Sequence, residues 1–292
     1  MDSSTRSDRL VRRRLSLLEK NMPAAVGGDA AALHQARVAS RRIREALPLL
    51  AGPARKLMRQ VRRITRVLGP VRELDVALLL LDELDRSKSV PRQALTRLRE
   101  AVRSERVRLY EDMQRRLGGS LDLAKLRKRT LAAAERSETD GRLSDPQRLE
   151  RAQQRAGRRA ERLLAAMENA AGMYLPDRLH DVRIAVKKLR YSLELVREIS
   201  GSRATARLRA LKRVQDLLGR MHDLEVLIAR TRGLQGSAGA PNLKLSGDLD
   251  RIVRGLETEC RQLHGQYMSA RQSLVEICEH AIATAAGSSQ AA

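Results

Sequence analysis

One segment of this chain occurs twice without a gap. Leu33-His34-Gln35-Ala36-Arg37-Val38-Ala39-Ser40-Arg41-Arg42-Ile43-Arg44 aligns on Leu179-His180-Asp181-Val182-Arg183-Ile184-Ala185-Val186-Lys187-Lys188-Leu189-Arg190, and every basic position keeps its sign. Farther along, Leu68-Gly69-Pro70-Val71-Arg72-Glu73-Leu74-Asp75-Val76 aligns on Leu218-Gly219-Arg220-Met221-His222-Asp223-Leu224-Glu225-Val226. A chain that repeats two separated segments in phase reads as two copies of one unit.

That unit is helical. Val11, Leu15, Leu18 and Met22 recur at helical spacing, as do Val71, Leu74, Leu78 and Leu81, and no stretch alternates as a strand would. Leu249, Ile252, Leu256, Leu263, Tyr267, Leu274 and Ile277 predict one long helix packed on a bundle. Helix breakers fall at Gly27-Gly28, Gly52-Pro53, Gly69-Pro70, Gly118-Gly119, Pro176, Gly201, Gly219 and from Gly233 to Pro241. The expected fold is all-α: about ten helices in two pseudo-symmetric helical bundles arising from an internal duplication. The expected boundaries are a first repeat over 1–136, a linker over 137–146, a second repeat over 147–283 and a disordered tail over 284–292.

With no Trp, no Phe and only 4 Tyr, the core must be built from Leu, Ala, Val, Ile and Met, which suits helix against helix. The same shortage argues against single-stranded nucleic acid, which is held by stacking bases on aromatic rings. Cys260 and Cys278 lie in one predicted helix, roughly 27 Å apart at 1.5 Å per residue, too far to pair. Without a signal peptide, a CxxC motif or a long apolar run, the chain reads as soluble and cytoplasmic, with no transmembrane segment.

The net charge is +23, and its arrangement matters more than its size. His34, Arg37, Arg41 and Arg44 fall within about 80° on one helix, opposite Ala36, Ile43, Leu47 and Leu50. His180, Arg183, Lys187 and Arg190 repeat the division against Val182, Leu189, Leu193 and Val196. The next helix adds Arg59, Arg62, Arg63 and Arg66, matched by Arg209, Lys212 and Arg213, with Asp216 in the fourth place. Like charges at these spacings destabilise a helix unless something compensates, and a bound polyanion would. A solvated basic face would show rows of charge as well, but it would not need a His one turn before the first Arg in both copies. His222 stands where the first copy has Arg72, just after a Gly, so either is expected near a helix N-terminus, which favours anions.

Enzyme signatures are missing: there is no GxxxxGK[ST] loop, no HExxH and no nucleophile elbow. Glu257-Thr258-Glu259-Cys260-Arg261 reads as helix surface, because residues two apart on a helix diverge. Glu73 with Asp75, and Asp223 with Glu225, diverge for the same reason. No catalysis, cofactor or metal site is expected.

The motifs Leu33-His34-x-x-Arg37-Val38-x-x-Arg41-Arg42-x-Arg44 and Leu179-His180-x-x-Arg183-x-x-x-Lys187-x-Leu189-Arg190-Tyr191 resemble those of the CHAD family, the conserved histidine α-helical domain. The resemblance runs from about Arg9 to His280. It implies two bundles related by a pseudo-twofold, with both His-bearing helices lining one basic cleft or pore. It also implies binding of inorganic polyphosphate and, in some members, association with polyphosphate or polyhydroxyalkanoate granules. Members are often fused to a triphosphatase domain whose ExExK strand is missing here, which implies a stand-alone binding module. Glu73 and Glu225 stand where that pattern has Asp. The candidate phosphate contacts are the basic residues named above together with Arg42, Arg72, Lys188 and His222. A protein reading only the backbone of nucleic acid, or coating a granule surface, would use the same faces, with nucleic acid the weaker competitor.

Overall fold

A computed structural model describes residues 6–50, 54–87, 90–118, 122–139, 144–203, 205–237 and 242–290. Ten helices make up these residues: α1 (Arg6–Val26), α2 (Ala30–Leu50), α3 (Arg55–Val67), α4 (Gly69–Ser87), α5 (Arg92–Leu117), α6 (Leu123–Thr139), α7 (Asp145–Asn169), α8 (Pro176–Ser200), α9 (Ala206–Ser237) and α10 (Leu243–Gln290). The all-α expectation holds.

Both halves begin with a helical hairpin, α1 on α2 and α7 on α8. Leu15, Leu18 and Met22 of α1 meet Leu33, Ala36 and Ile43 of α2 in one core, and Leu163 and Met167 of α7 meet Val182, Val186 and Leu189 of α8 in a second. Each such Leu, removed from water, contributes about 1.5–3 kcal/mol. The turn between α1 and α2 needs Gly28, at φ +95°, because that region strains any residue with a Cβ. Gly201 ends α8 in the same left-handed region, and Pro176 opens it. Ser144 caps α7 through a reciprocal pairing with Gln147, a device worth about 0.5–2 kcal/mol.

A third core belongs to neither half alone. Leu74, Leu81, Leu95 and Leu98 of α4 and α5 pack with Leu224, Leu227, Leu249 and Ile252 of α9 and α10. Ion pairs cross at the other end in matched fashion. Arg14 donates to the Arg42 carbonyl of its own hairpin at 2.9 Å and to Glu198 of the other half at 2.5 Å. Arg159 donates to the Lys188 carbonyl of its own hairpin at 2.7 Å and to Glu45 of the other half at 2.5 Å.

Three expectations need correction. Gly219 does not break a helix: α9 runs through it, because a lone Gly costs only about 1 kcal/mol in a helix, whereas in the first half the matching Gly69 is followed, in the place of Arg220, by Pro70, which lacks an N–H and splits α3 from α4. Gly233 and Gly236 also lie within α9. The tail is helical through Gln290, since Ala-rich sequence sustains a helix and Ala285 lies against Gly157 of α7. Of the expected linker, Ser137 to Thr139 lie in α6 and Asp145 and Pro146 in α7. Residues 140–143 of that linker, with Gly52-Pro53, Gly119, 238–241 and 291–292, lie outside the described residues.

Candidate functional site: a cationic cleft between α2 and α8

The apolar faces of α2 and α8 fill the two hairpin cores, so their basic faces are left to meet each other. Arg37 and Arg41 of α2 lie close enough to Arg183 and Lys187 of α8 for each pair to feel the other's charge. Arg72 of α4 joins from beside His34. Among the described residues, Arg41, Arg72, Arg183 and Lys187 make no side-chain hydrogen bond or ion pair, and the Arg183 Nε is buried without a partner. Crowded, half-desolvated cations of one sign repel one another, and only a counter-charge relieves them.

Protonation records that crowding. Burial and the neighbouring Arg183, Arg41 and Arg37 push Lys187 down to about 6. Burial first, then Arg41 and Arg183, lowers Arg37 to about 10. His34 is lowered by burial and then Arg72, and His180 by burial and then Arg183. His222, beside Arg183 and His180, is pushed down to about 4, again mostly by burial. His180 and His222 are therefore neutral at pH 7, and one Nδ1 donates to the other at 3.3 Å.

The two sides hold their cations differently. Arg37 donates from Nη1 to the Thr65 carbonyl at 2.7 Å and lies so close to Gly69 that a Cβ there would come within 2.9 Å. Ser40 and Thr65 share a hydroxyl hydrogen bond of 2.9 Å behind it. Arg183 and Lys187 have no such tether. Asp223 is the acid of this cleft; burial raises its carboxyl, against the pull of Arg183 and Lys187. It is a residue whose importance the sequence did not announce.

Other candidates are placed apart. Glu194 takes both Arg42, at 3.5 Å, and Arg190, whose Nε also donates to Gln215 at 2.8 Å. Those two cations are structural. Arg44 sits at the far end of the α2 stripe, near Glu45, Arg62 and Arg159. Arg59, Arg62, Arg66, Lys188, Arg209 and Arg213 face solvent. Arg63 donates to the Arg116 carbonyl at 2.9 Å, and Lys212 pairs with Asp216 at 2.5 Å. Arg72 does lie in the first turn of α4, as expected, but His222 is mid-helix because α9 is unbroken.

The paired acids point apart: Asp75 binds Arg106 at 2.6 Å while Glu73 binds Arg230 at 3.0 Å, and Glu225 accepts from Tyr174, away from Asp223. Glu257 and Glu259 pair with Arg232 and Arg220 on the surface of α10. Among the described residues no three His, Cys, Asp or Glu come together as a metal site. No described helix is long and apolar enough to cross a membrane.

Residues 9–232 match the family model described as the CHAD domain. The chain belongs to the CHAD family. Its fold is that of two solved structures. The CHAD domain from the plant Ricinus communis is 23% identical, with a TM-score of 0.67 over 94% of this chain and 93% of that one. PptA from Streptomyces chartreusis is 16% identical, with a TM-score of 0.67 over 91% of this chain and 98% of that one. No curated protein matches the sequence. In this CHAD domain the basic cleft draws cations from both α2 and α8.

Proposed function

We propose that this protein binds inorganic polyphosphate in the cleft between α2 and α8, and that it holds the chain without cleaving it. The observation that carries the reading is the convergence of Arg37, Arg41, Arg72, Arg183 and Lys187, four of them with no protein partner. Arginine forks bind phosphate oxygens in pairs, and lysine supplies a point charge. The CHAD family is linked to polyphosphate binding in general, and the residues of this cleft suit that ligand.

An unbroken row of phosphates is favoured over single-stranded nucleic acid by what the cleft lacks. Tyr191 and Tyr267 are buried, the Tyr110 hydroxyl donates to the Val26 carbonyl at 2.7 Å, and Tyr174 is turned toward Glu225. Tyr110 and Tyr174 are half-buried, so little aromatic surface is left for bases to stack on. The scattering of the acids supports binding without turnover, since phosphoryl transfer needs a positioned nucleophile and usually clustered carboxylates holding metal.

The test is competition at one salt concentration between long-chain polyphosphate and duplex DNA of equal phosphate content. Polyphosphate should displace the duplex well below the concentration at which the duplex displaces it. Equal displacement would make the cleft a general backbone binder, and release of free phosphate from the chain in the presence of Mg²⁺ would make the protein an enzyme. Association with granules belongs to the same reading and is tested by whether wild type, but not a cleft variant, sediments with polyphosphate granules.

A further inference from the structure

A second basic cleft lies outside the repeated motif. Arg151, Arg155, Arg158 and Arg162 fall within about 60° of one another on α7 and span roughly 16 Å of it. With Arg159, Gln154 and the wall formed by Pro48 and Leu49 of α2, they line a cleft of about 570 Å³ in which no lining residue is acidic.

Its floor is built. Arg155 donates to the Glu45 carbonyl at 3.1 Å and to its carboxylate at 3.0 Å, and the same carboxylate takes Arg159. One carboxylate therefore serves two guanidiniums, and burial with the charges of Arg159 and Arg158 lowers Arg155 despite it. Arg151, Arg158 and Arg162 are exposed and have no partner among the described residues. The nearby acids of α7 do not answer them: Glu150 accepts from Gln154 at 2.8 Å, and Glu161 is exposed outside the lining.

The first half has only part of an equivalent. If Arg159 is superposed on its structural match Arg14, then Arg151 and Arg158 fall on Arg6 and Arg13, but Arg155 and Arg162 fall on Leu10 and Leu17 of α1. The complete row of four arginines therefore occurs in the second half and not at the matching places of α1. It lies beyond Arg44, which feels both Arg41 of the central cleft and Arg159 of this one.

We propose that the α2–α7 cleft is a second binding site, for a short phosphate-rich anion: free tripolyphosphate, or the end of a chain that runs over from the central cleft. The choice of phosphate as ligand rests on the reading of the central cleft; the site itself does not. Four arginines on one face provide paired forks for adjacent phosphates, and the concave wall is too short for a long segment.

Calorimetry with tripolyphosphate and with long-chain polyphosphate tests this in three proteins: wild type, an Arg151→Gln, Arg158→Gln, Arg162→Gln variant and an Arg183→Gln, Lys187→Gln variant. A fall from two bound tripolyphosphates to one in the α7 variant supports the free anion. Unchanged tripolyphosphate binding with at least tenfold weaker long-chain binding supports the chain end. The inference is overturned if neither quantity moves further than in an Arg92→Gln, Arg103→Gln, Arg108→Gln control, whose residues are exposed on α5. If instead the Arg183→Gln, Lys187→Gln variant binds long chains normally while the α7 variant does not, the central cleft is the reading that fails and the α7 site stands. All the replaced residues of α7 and α5 are exposed, so helical circular dichroism should be the same in these variants.

Discussion

The basic faces of α2 and α8 carry the same motif but keep their charge in different ways. Where α2 has Arg41, α8 has Lys187, and where α4 has Arg72, α9 has His222. The first half uses guanidiniums that stay charged at any physiological pH, with Arg37 tied to Thr65. The second half uses an amine pushed down to about 6 and an imidazole pushed down to about 4. One wall of the cleft thus holds the guanidiniums of Arg37, Arg41 and Arg72, whereas the other sets Arg183 beside an amine and an imidazole that burial and neighbouring cations hold below their ordinary values. Two copies of a motif need not be two copies of a function.

The strongest way to break the comparison is to reverse charge on either wall. Arg37→Glu with Arg41→Glu, or Arg183→Glu with Lys187→Glu, should each weaken polyphosphate binding more than about a hundredfold, because charge-assisted contacts are worth about 1.5–3 kcal/mol apiece. Titration followed by fluorescence anisotropy of labelled polyphosphate measures it. If only one pair mattered, the chain would be held by one wall and the facing stripe would be incidental.

Proton uptake separates the walls next. A bound polyanion raises the pKa of each cation it touches, so between pH 8 and pH 6 Lys187 should take up a proton on binding. Affinity should therefore tighten as pH falls, by up to about tenfold per unit for each group so linked, and level off for Lys187 below about 6, where it is already charged in the free protein. Lys187→Arg should flatten that part of the profile while leaving affinity at pH 6 close to wild type. Residual tightening lost in a His34→Ala, His180→Ala double variant would assign the remainder to those imidazoles. A wild-type profile that is flat across this range would show that the second wall does not charge on binding.

The same amine affects the empty protein. In the free fold Lys187 titrates near 6, whereas the unfolded chain has the ordinary value of 10.5. Between those values the unfolded state binds more protons, so this group makes stability rise with pH and fall as pH drops toward 6. Lys187→Met removes the desolvated amine and should stabilise the unliganded protein by about 1–3 kcal/mol, most visibly near pH 6, while weakening polyphosphate binding. Thermal unfolding with and without ligand at pH 6 and pH 9 reads both effects. A less stable variant would mean that Lys187 is held by contacts rather than strained by its neighbours.

Much of this was legible in the residues. Periodicity placed the long helices and the two basic stripes, and the gapless repeat brought Arg37 and Arg183 to matching positions. Periodicity defines a face, however, and not what lies across from it. Arg190 belongs to the α8 stripe by spacing and Arg42 to the family motif, yet Glu194 takes both. The shared core of α4, α5, α9 and α10 joins residues of both halves, which a repeat search keeps apart. The arginines of α7 are only half echoed in α1, where Arg6 and Arg13 match Arg151 and Arg158 but Leu10 and Leu17 match Arg155 and Arg162, so a repeat search does not single out the row. By spacing Asp223 is one of two divergent acids, and only the packing of α9 against α8 brings it beside Arg183 and Lys187.

The mildest contrast lies in two matched glycines. Both precede the residue that differs most between the halves, Pro70 in one and Arg220 in the other. At Gly69 a Cβ would come within 2.9 Å of the Arg37 Nη1, while at Gly219 nothing lies within 4 Å. Gly69→Ala must therefore push aside a guanidinium that Thr65 holds at 2.7 Å. The far end of an Arg can move, so the fold should survive, but the tether of the first wall is lost and polyphosphate binding should weaken by about threefold to tenfold, the loss of one hydrogen bond of about 1 kcal/mol. Gly219→Ala meets no obstacle in the middle of α9 and should raise stability by about 0.5–1 kcal/mol through helix propensity alone, with binding unchanged. Equal effects of the two substitutions on binding would show that Arg37 is not held by its contact with Gly69, and that the difference between the walls lies in their protons alone.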